Sequence, residues 1–315
     1  MASAKRLWLR REVHMMFGMG ELAAFCTAVA WGISNQMHSA VARMAGSTSI
    51  ALLRLPFMIL MIGLMCLLCN ADTSINLEGF LLLALSGTMG LAVGDLLLYS
   101  SILIIGPTMA VLILSLGTGI TAVMGWIFMG ETLPMQAVLG IAITLLGVGF
   151  VVTEHGGSVL LPGQEVPRGK TLVLGVTLAS LAAICLACGY VAQRMAMQTG
   201  VQPLWATFVR ASAGGVVLWT AGFVLGWAVP AVQNLVRIRP IRWLLLIASI
   251  NAATGMWLAS VALAIAPAGV VATLIGLQPI IVAFIGAVWY RRKPSLRVLS
   301  GAVIAFVGTA LVCLR

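Results

Sequence analysis

Charge is scarce in this sequence. Only 8% of its 315 residues are Asp, Glu, Lys or Arg, and just 8 of them are acidic. Soluble domains carry about 25% charged residues, so this composition cannot clothe a water-facing surface. Histidine is rare too, with 3 copies. His14, His38 and His155 all fall at or outside the edges of apolar segments, and no HExxH or Ser/His pairing lies inside them. That leaves little for an intramembrane enzyme to work with. A GxxxxGK[ST] loop, which would cradle ATP phosphates, is missing. The apolar segments do not alternate apolar and polar residues, as the strands of a transmembrane barrel must.

What is present is hydrocarbon. The chain is 61% hydrophobic with mean hydropathy +1.11. A helix crossing a bilayer needs roughly 20 apolar residues, and ten such segments follow one another, at about 18–41, 49–69, 79–103, 107–129, 135–153, 172–193, 203–226, 242–264, 267–289 and 296–314. The expected fold is an all-α integral membrane protein. The net charge of +10 comes from Lys and Arg flanking these segments, which fits anionic lipid headgroups better than nucleic acid. Residues 1–17 read as a retained basic tail, with no convincing small-residue cleavage site expected after them. Trp8, Trp126, Trp243 and Trp289 stand near segment ends, as interfacial anchors do. The six cysteines lie in apolar segments and include CLLC at 66–69 and CLAC at 185–188. Neither pair has a further His or Cys nearby, so each reads as small buried hydrophobes, and no metal or cofactor is expected.

The longest linker, 154–171, divides the chain into five segments (18–153) and five more (172–315), and the halves resemble each other. SILIIGPTMAVLILSLGTGI (101–120) aligns with VALAIAPAGVVATLIGLQPI (261–280), pairing Pro107 with Pro267. ETLPMQAVLGIAITLLGVGF (131–150) aligns with RKPSLRVLSGAVIAFVGTAL (292–311), pairing Gly140 with Gly301 and Gly147 with Gly308. CTAVAWGISNQ (26–36) lies over CLACGYVAQRM (185–195), pairing Trp31 with Tyr190, and each half carries an Arg in its second segment, Arg54 and Arg210. A repeat of five crossings must re-enter the membrane from the opposite side. Two inverted copies of this kind can rock against each other and expose a shared site alternately, which is a transporter architecture.

On SGTMGLAVGDLLLYSSILIIGP, GETLPMQAVLGIAITLLGVGFVV and IAPAGVVATLIGLQPIIVAFIGAV, the chain resembles the ten-helix, EamA-domain type of the drug/metabolite transporter superfamily. The resemblance spans about 20–153 and 172–314. It implies a multi-pass protein of a cell membrane, plasma or bacterial inner, with cytoplasmic termini. Its implied activity is secondary transport, as exporter or exchanger, of small metabolites such as amino acids or amphipathic compounds by alternating access. The same fold could host a flippase for a lipid or lipid-linked sugar; a non-transporting membrane protein is the remaining class. The expected partners are a small-molecule substrate, membrane lipid and protons, in a monomer or homodimer. The Gly-Glu pair that commonly ends the family's fourth segment is kept at Gly130-Glu131, but the second copy reads Tyr290-Arg291-Arg292. The positive-inside count opposes cytoplasmic termini: 6 Lys and Arg lie on the side of the N-terminus and 10 on the other.

Candidate site residues are the polar groups inside the apolar segments. A charge at a helix centre costs about 2.5–3.5 kcal/mol on insertion scales, so it faces the bundle interior or a wet cavity. Asp95, with Tyr99 a turn later, reads three ways: it binds a cationic substrate group, carries a coupling proton, or pairs with an Arg to fix packing. Gly90 and Gly94 precede it at G-x-x-x-G spacing, which admits a close neighbour helix. Arg54 stands near enough to a segment end to snorkel, and Arg210 is deeper. Either guanidinium suits a substrate carboxylate, Asp95 or helix-end carbonyls. Trp31, Asn35 and His38 share a face, His38 reading as solvated at the boundary; Tyr190 and Gln193 take the corresponding places in the second copy. Asn251 and Trp257 lie in the eighth segment, where Gly255 stands opposite Asp95. Gln278-Pro279 interrupts the ninth. Glu21 and Glu131 read as structural boundary residues.

Overall fold

The computed structural model describes residues 2–130, 134–152, 169–278, 280–281, 284–285 and 296–313, and the regular structure among them is entirely helical. The order is α1 (Ala2–Ala45), α2 (Ser47–Leu68), α3 (Leu77–Gly87), a π-helical stretch (Thr88–Gly94), α4 (Asp95–Ile105), α5 (Pro107–Leu114), α6 (Gly117–Met129), α7 (Met135–Val152), α8 (Lys170–Gln198), α9 (Pro203–Val224), α10 (Ala228–Arg237), α11 (Arg239–Ile265), α12 (Ala268–Ile275) and α13 (Leu296–Cys313). Among the described residues, five helices are long and apolar enough to cross a membrane: 47–68, 77–105, 170–198, 203–224 and 241–265.

Local chemistry sets the boundaries. The Asn76 side chain accepts from the Gly79 N–H at 2.8 Å, with Glu78 in the first turn, and so caps α3. Gly106, at φ 81°, ends α4, and Pro107 starts the next helix. Pro203 opens α9. Helix α10, which lies in what reads as a plain linker, carries exposed Val229, Val232 and Val236 and buried Ala228 and Ala231. Its C-terminal carbonyls at Leu235 and Val236 accept from the Arg242 guanidinium at 3.0 and 2.8 Å.

Helix packing obeys an exchange rule. Helix α1 packs on α11, and its counterpart α8 packs on the continuous α3–π–α4 rod, the counterpart of α11. Helices α5 and α6 pack on α8, as α12 packs on α1; α9 packs on α3, as α2 packs on α11. The pairs α2–α9, α6–α12 and α7–α13 map onto themselves. Exchanging the two halves leaves this pattern intact, as a pseudo-two-fold axis requires. The glycines paired by the sequence repeat carry the α7–α13 contact reciprocally. A methyl group on Gly147 would stand 2.8 Å from the Gly301 carbonyl, and one on Gly308 would stand 2.7 Å from the Gly140 carbonyl. Small residues let these backbones touch, since lipid supplies no hydrophobic drive between helices.

The fourth segment of each half is broken. Helix α5 stops at Leu114 and α6 resumes at Gly117; α12 stops at Ile275 and turns through Gly276 and Leu277. The expected interruption at Gln278-Pro279 therefore begins just before it. Pro279 lies outside the described residues, as do Glu131 and the Tyr290-Arg291-Arg292 stretch. The π stretch had no sequence signal. It ends with the Asp95 N–H donating to the Gly90 carbonyl, an i to i+5 bond that draws Gly90 and Asp95 toward one face of the rod.

Candidate functional site

Helices α2 and α9 are both 22 residues long, and each carries its Arg seven residues after its first position, Arg54 after Ser47 and Arg210 after Pro203. Both side chains are buried, Arg54 at 5% exposure and Arg210 at 0%. The sequence reading of Arg54 as a residue able to snorkel is thus corrected: it turns inward, because Asp95 on α4 lies opposite it. Arg54 Nη2 donates to Asp95 Oδ2 in a salt bridge. The guanidinium also stands 5.3 Å from the Tyr99 ring centre.

A cavity of about 60 Å³ adjoins this pair. From the first half it is lined by Trp31, Ser34, Asn35, His38, Arg54, Asp95 and Tyr99, and from the second by Arg210 and Gln278. Met58, Leu91, Leu98, Leu114, Leu186 and Met256 supply apolar wall. Seven of the sequence candidates meet here: Asp95, Tyr99, Trp31, Asn35, Arg54, Arg210 and Gln278. Tyr190 lines a smaller adjoining space with Thr118, Thr121 and the shared Gln278. Asn251 and Trp257 are not among the lining residues. The Asn251 amide donates to the Ala30 carbonyl at 2.6 Å and to Ser34 Oγ at 3.1 Å, tying α11 to α1. Trp257 is partly buried against the core.

His38 is corrected from a solvated boundary residue to a buried one. It is 1% exposed, and its Nδ1 lies 3.1 Å from the Tyr99 hydroxyl. The first segment reads as ending near 41, whereas α1 runs on to Ala45 and carries His38 inside the bundle. Ser34, also on the cavity wall, had no signal beyond its place on α1.

The second half builds its counterpart without a carboxylate. Arg210 Nη1 donates to Gln193 Oε1 at 2.6 Å, and Gln193 Nε2 donates to Ser260 Oγ at 2.6 Å. The Ser260 and Thr207 hydroxyls are 2.6 Å apart. At the position opposite Asp95, Gly255 has Trp31 over it: a methyl group there would stand 2.7 Å from the indole. Trp31 in turn donates from Nε1 to the Ala252 carbonyl at 3.2 Å. An acidic side chain has no room at 255.

Several polar atoms around the cavity have no hydrogen-bond partner: Arg210 Nε and Nη2, Arg54 Nε, His38 Nε2, Gln278 Nε2 and, next to it, the Tyr190 hydroxyl. Buried polar groups are usually satisfied, and exceptions call for an explanation. No group of three or more His, Cys, Asp or Glu able to hold a metal ion occurs among the described residues.

The chain is similar to a solved crystal structure of a protein at 17% identity and TM-score 0.61, over 93% of this chain and 95% of the other, which is a likeness of fold. No curated protein matches the sequence. The family model described as "EamA-like transporter family" matches twice, at residues 18–153 and 173–314. These two matches take in most of the chain, which belongs to the EamA-like transporter family, membrane transporters of the drug/metabolite transporter type.

Proposed function

We propose that this chain is a secondary transporter, exporter or exchanger, that moves a small metabolite such as an amino acid or amphipathic compound by alternating access. The observation that carries the reading is the cavity itself. It is enclosed by equivalent helices of both halves, with the two equivalent arginines on its wall. Rocking one half against the other opens such a space to each side in turn. At about 60 Å³ it has room for about four waters, at roughly 15 Å³ each. In the proposed cycle a metabolite enters once the halves part. The breaks at 115–116 and 276–277 give the fourth segments a place to bend.

Among the described residues, Asp95 is the one carboxylate lining the cavity. Protonating it removes the counter-charge of Arg54 and loosens the contact of α2 with α4, so a proton moving opposite to substrate has a place to act. The test is counterflow in proteoliposomes. Vesicles loaded with unlabelled amino acids should accumulate the labelled amino acid from outside. Asp95→Asn that keeps exchange but loses its response to a pH gradient supports proton coupling. No accumulation across the amino acid panel and a set of cationic amphiphiles contradicts the transporter reading.

A further inference from the structure

The two halves hold equal numbers of cavity arginines but unequal numbers of acids. Arg54 has Asp95. Arg210, fully buried, has no carboxylate, and Gly255 with Trp31 over it shows why its own half cannot provide one. Among the described residues, the cavity lining therefore carries two guanidinium charges against one carboxylate, a surplus of one positive charge, with both arginine side chains buried. A buried unpaired ion is costly, and a protein keeps one where something else supplies the partner.

The free atoms of Arg210 say what shape that partner has. Gln193 occupies Nη1, leaving Nε and Nη2. These two nitrogens form one edge of the guanidinium, the edge that grips a carboxylate through two parallel N–H···O bonds. The neighbouring backbone is cleared for it: Nη2 faces Gly90 of the π stretch, where a methyl group would stand 2.8 Å away. Gly90, Arg210 and Gln278, whose amide nitrogen is also unpartnered, all line the cavity. Met58, Leu91, Leu98, Leu114, Leu186 and Met256 give the wall an apolar stretch, while Ser34, Asn35, His38 and Tyr99 add polar atoms on the side of the Arg54–Asp95 pair. Resting on the transporter reading above, we propose that Arg210 is the anion-binding residue of the cavity and that the solute is a monocarboxylate, an organic acid or amino acid with an apolar body. Its carboxylate docks on the Nε–Nη2 edge beside Gly90. Asp95 stays with Arg54 and does not receive a cationic group of the ligand.

The probes are 4-methylpentanoate, its uncharged isostere 4-methylpentanamide, and leucine, added to the purified full-length chain in detergent at pH 7. Unfolding temperature is followed against probe concentration, since a ligand of the native state raises it. The acid and leucine should stabilise the protein, and the amide should not. Arg210→Met should weaken half-saturation by about 30-fold or more, the usual scale for deleting one member of a buried charge-assisted pair. Because that substitution alters a buried network, Gly90→Ala provides a second arm. It leaves every charge in place, fills the space beside Nη2, and should weaken the acid by a similar factor. Equal stabilisation by acid and amide, no stabilisation by either acid or leucine, or retention of acid binding within about threefold in both folded variants overturns the proposal. Counterflow separates this failure from the broader one. Transport indifferent to the carboxylate leaves the transporter reading standing and removes only the role of Arg210. Acid binding through Arg210 with no flux in any direction removes the transporter reading and keeps the site.

Discussion

The first half of the molecule closes its own electrostatics, and the second does not. On one side, Arg54, Asp95, Tyr99 and His38 form an ion pair and a hydrogen-bonded ring pair. On the other, Arg210, Gln193, Ser260 and Thr207 form a chain of neutral acceptors around a cation. The helices that carry these groups are related by exchange, so the difference resides in side chains and not in architecture. One substitution-sized change, Asp against Gly at 95 and 255, separates an arginine paired with a carboxylate from one bonded to a neutral acceptor. The shared packing pattern constrains the scaffold in both halves, while the polar side chains on it have diverged.

The largest effect that would sharpen this contrast is on stability. Asp95→Asn leaves a buried Arg54 without its counter-ion and should cost about 3 kcal/mol, at the low end for a broken buried pair because the carboxylate is 17% exposed. The double variant Arg54→Met with Asp95→Leu should recover most of it. Arg210→Met, which removes a cation that has no counter-ion, should change stability by no more than about 1 kcal/mol. Reversible unfolding in mixed micelles measures all three, and equal losses for Asp95→Asn and Arg210→Met would abolish the contrast. Next in size, Gly147→Val and Gly308→Val push side chains into facing backbone and should each cost about 2 kcal/mol. The two costs should match, because the contacts are exchange-related; a difference above about 1 kcal/mol breaks the two-fold description at α7 and α13. Gln193→Leu removes the acceptor of Arg210 and should cost about 1.5 kcal/mol. The smallest effect is expected at Asn251→Ala, about 1 kcal/mol for its interhelical bonds. Counterflow should stay at the wild-type rate, since Asn251 holds α11 to α1 outside the cavity.

Much of the architecture was legible in the sequence because lipid is an unforgiving solvent. A shortage of charge and long apolar runs leave helices as the only way to satisfy the backbone. The pairing of Gly140 with Gly301 and Gly147 with Gly308 went further, since the same glycines meet across α7 and α13. Asp95, Arg54 and Arg210 stood out because charge inside an apolar segment is rare, and all three line one cavity. Other features had weaker signals. His38 sits near the end of its segment, and only the continuation of α1 to Ala45 buries it. The break at Ser115 and Leu116 contains no proline to announce it. The G-x-x-x-G spacing at Gly90 and Gly94 announced a close neighbour helix, and α8 and α9 do pack there, but the spacing did not announce the π geometry. Asn251 shows the opposite case, a polar residue deep in a segment whose work is to join two helices.

The central claim is that one cavity, shared by both halves, opens to each side of the membrane in turn. Ser34 lines that cavity and is buried. The direct measurement is Ser34→Cys, with Cys26, Cys66, Cys69, Cys185, Cys188 and Cys313 replaced by Ala, reacted with a membrane-impermeant thiol reagent added to one face or the other of sealed, oriented vesicles. The account expects the introduced thiol to react from both faces, and transported solute to slow each reaction. A transport-competent protein whose thiol reacts from one face only, or from neither, would contradict it.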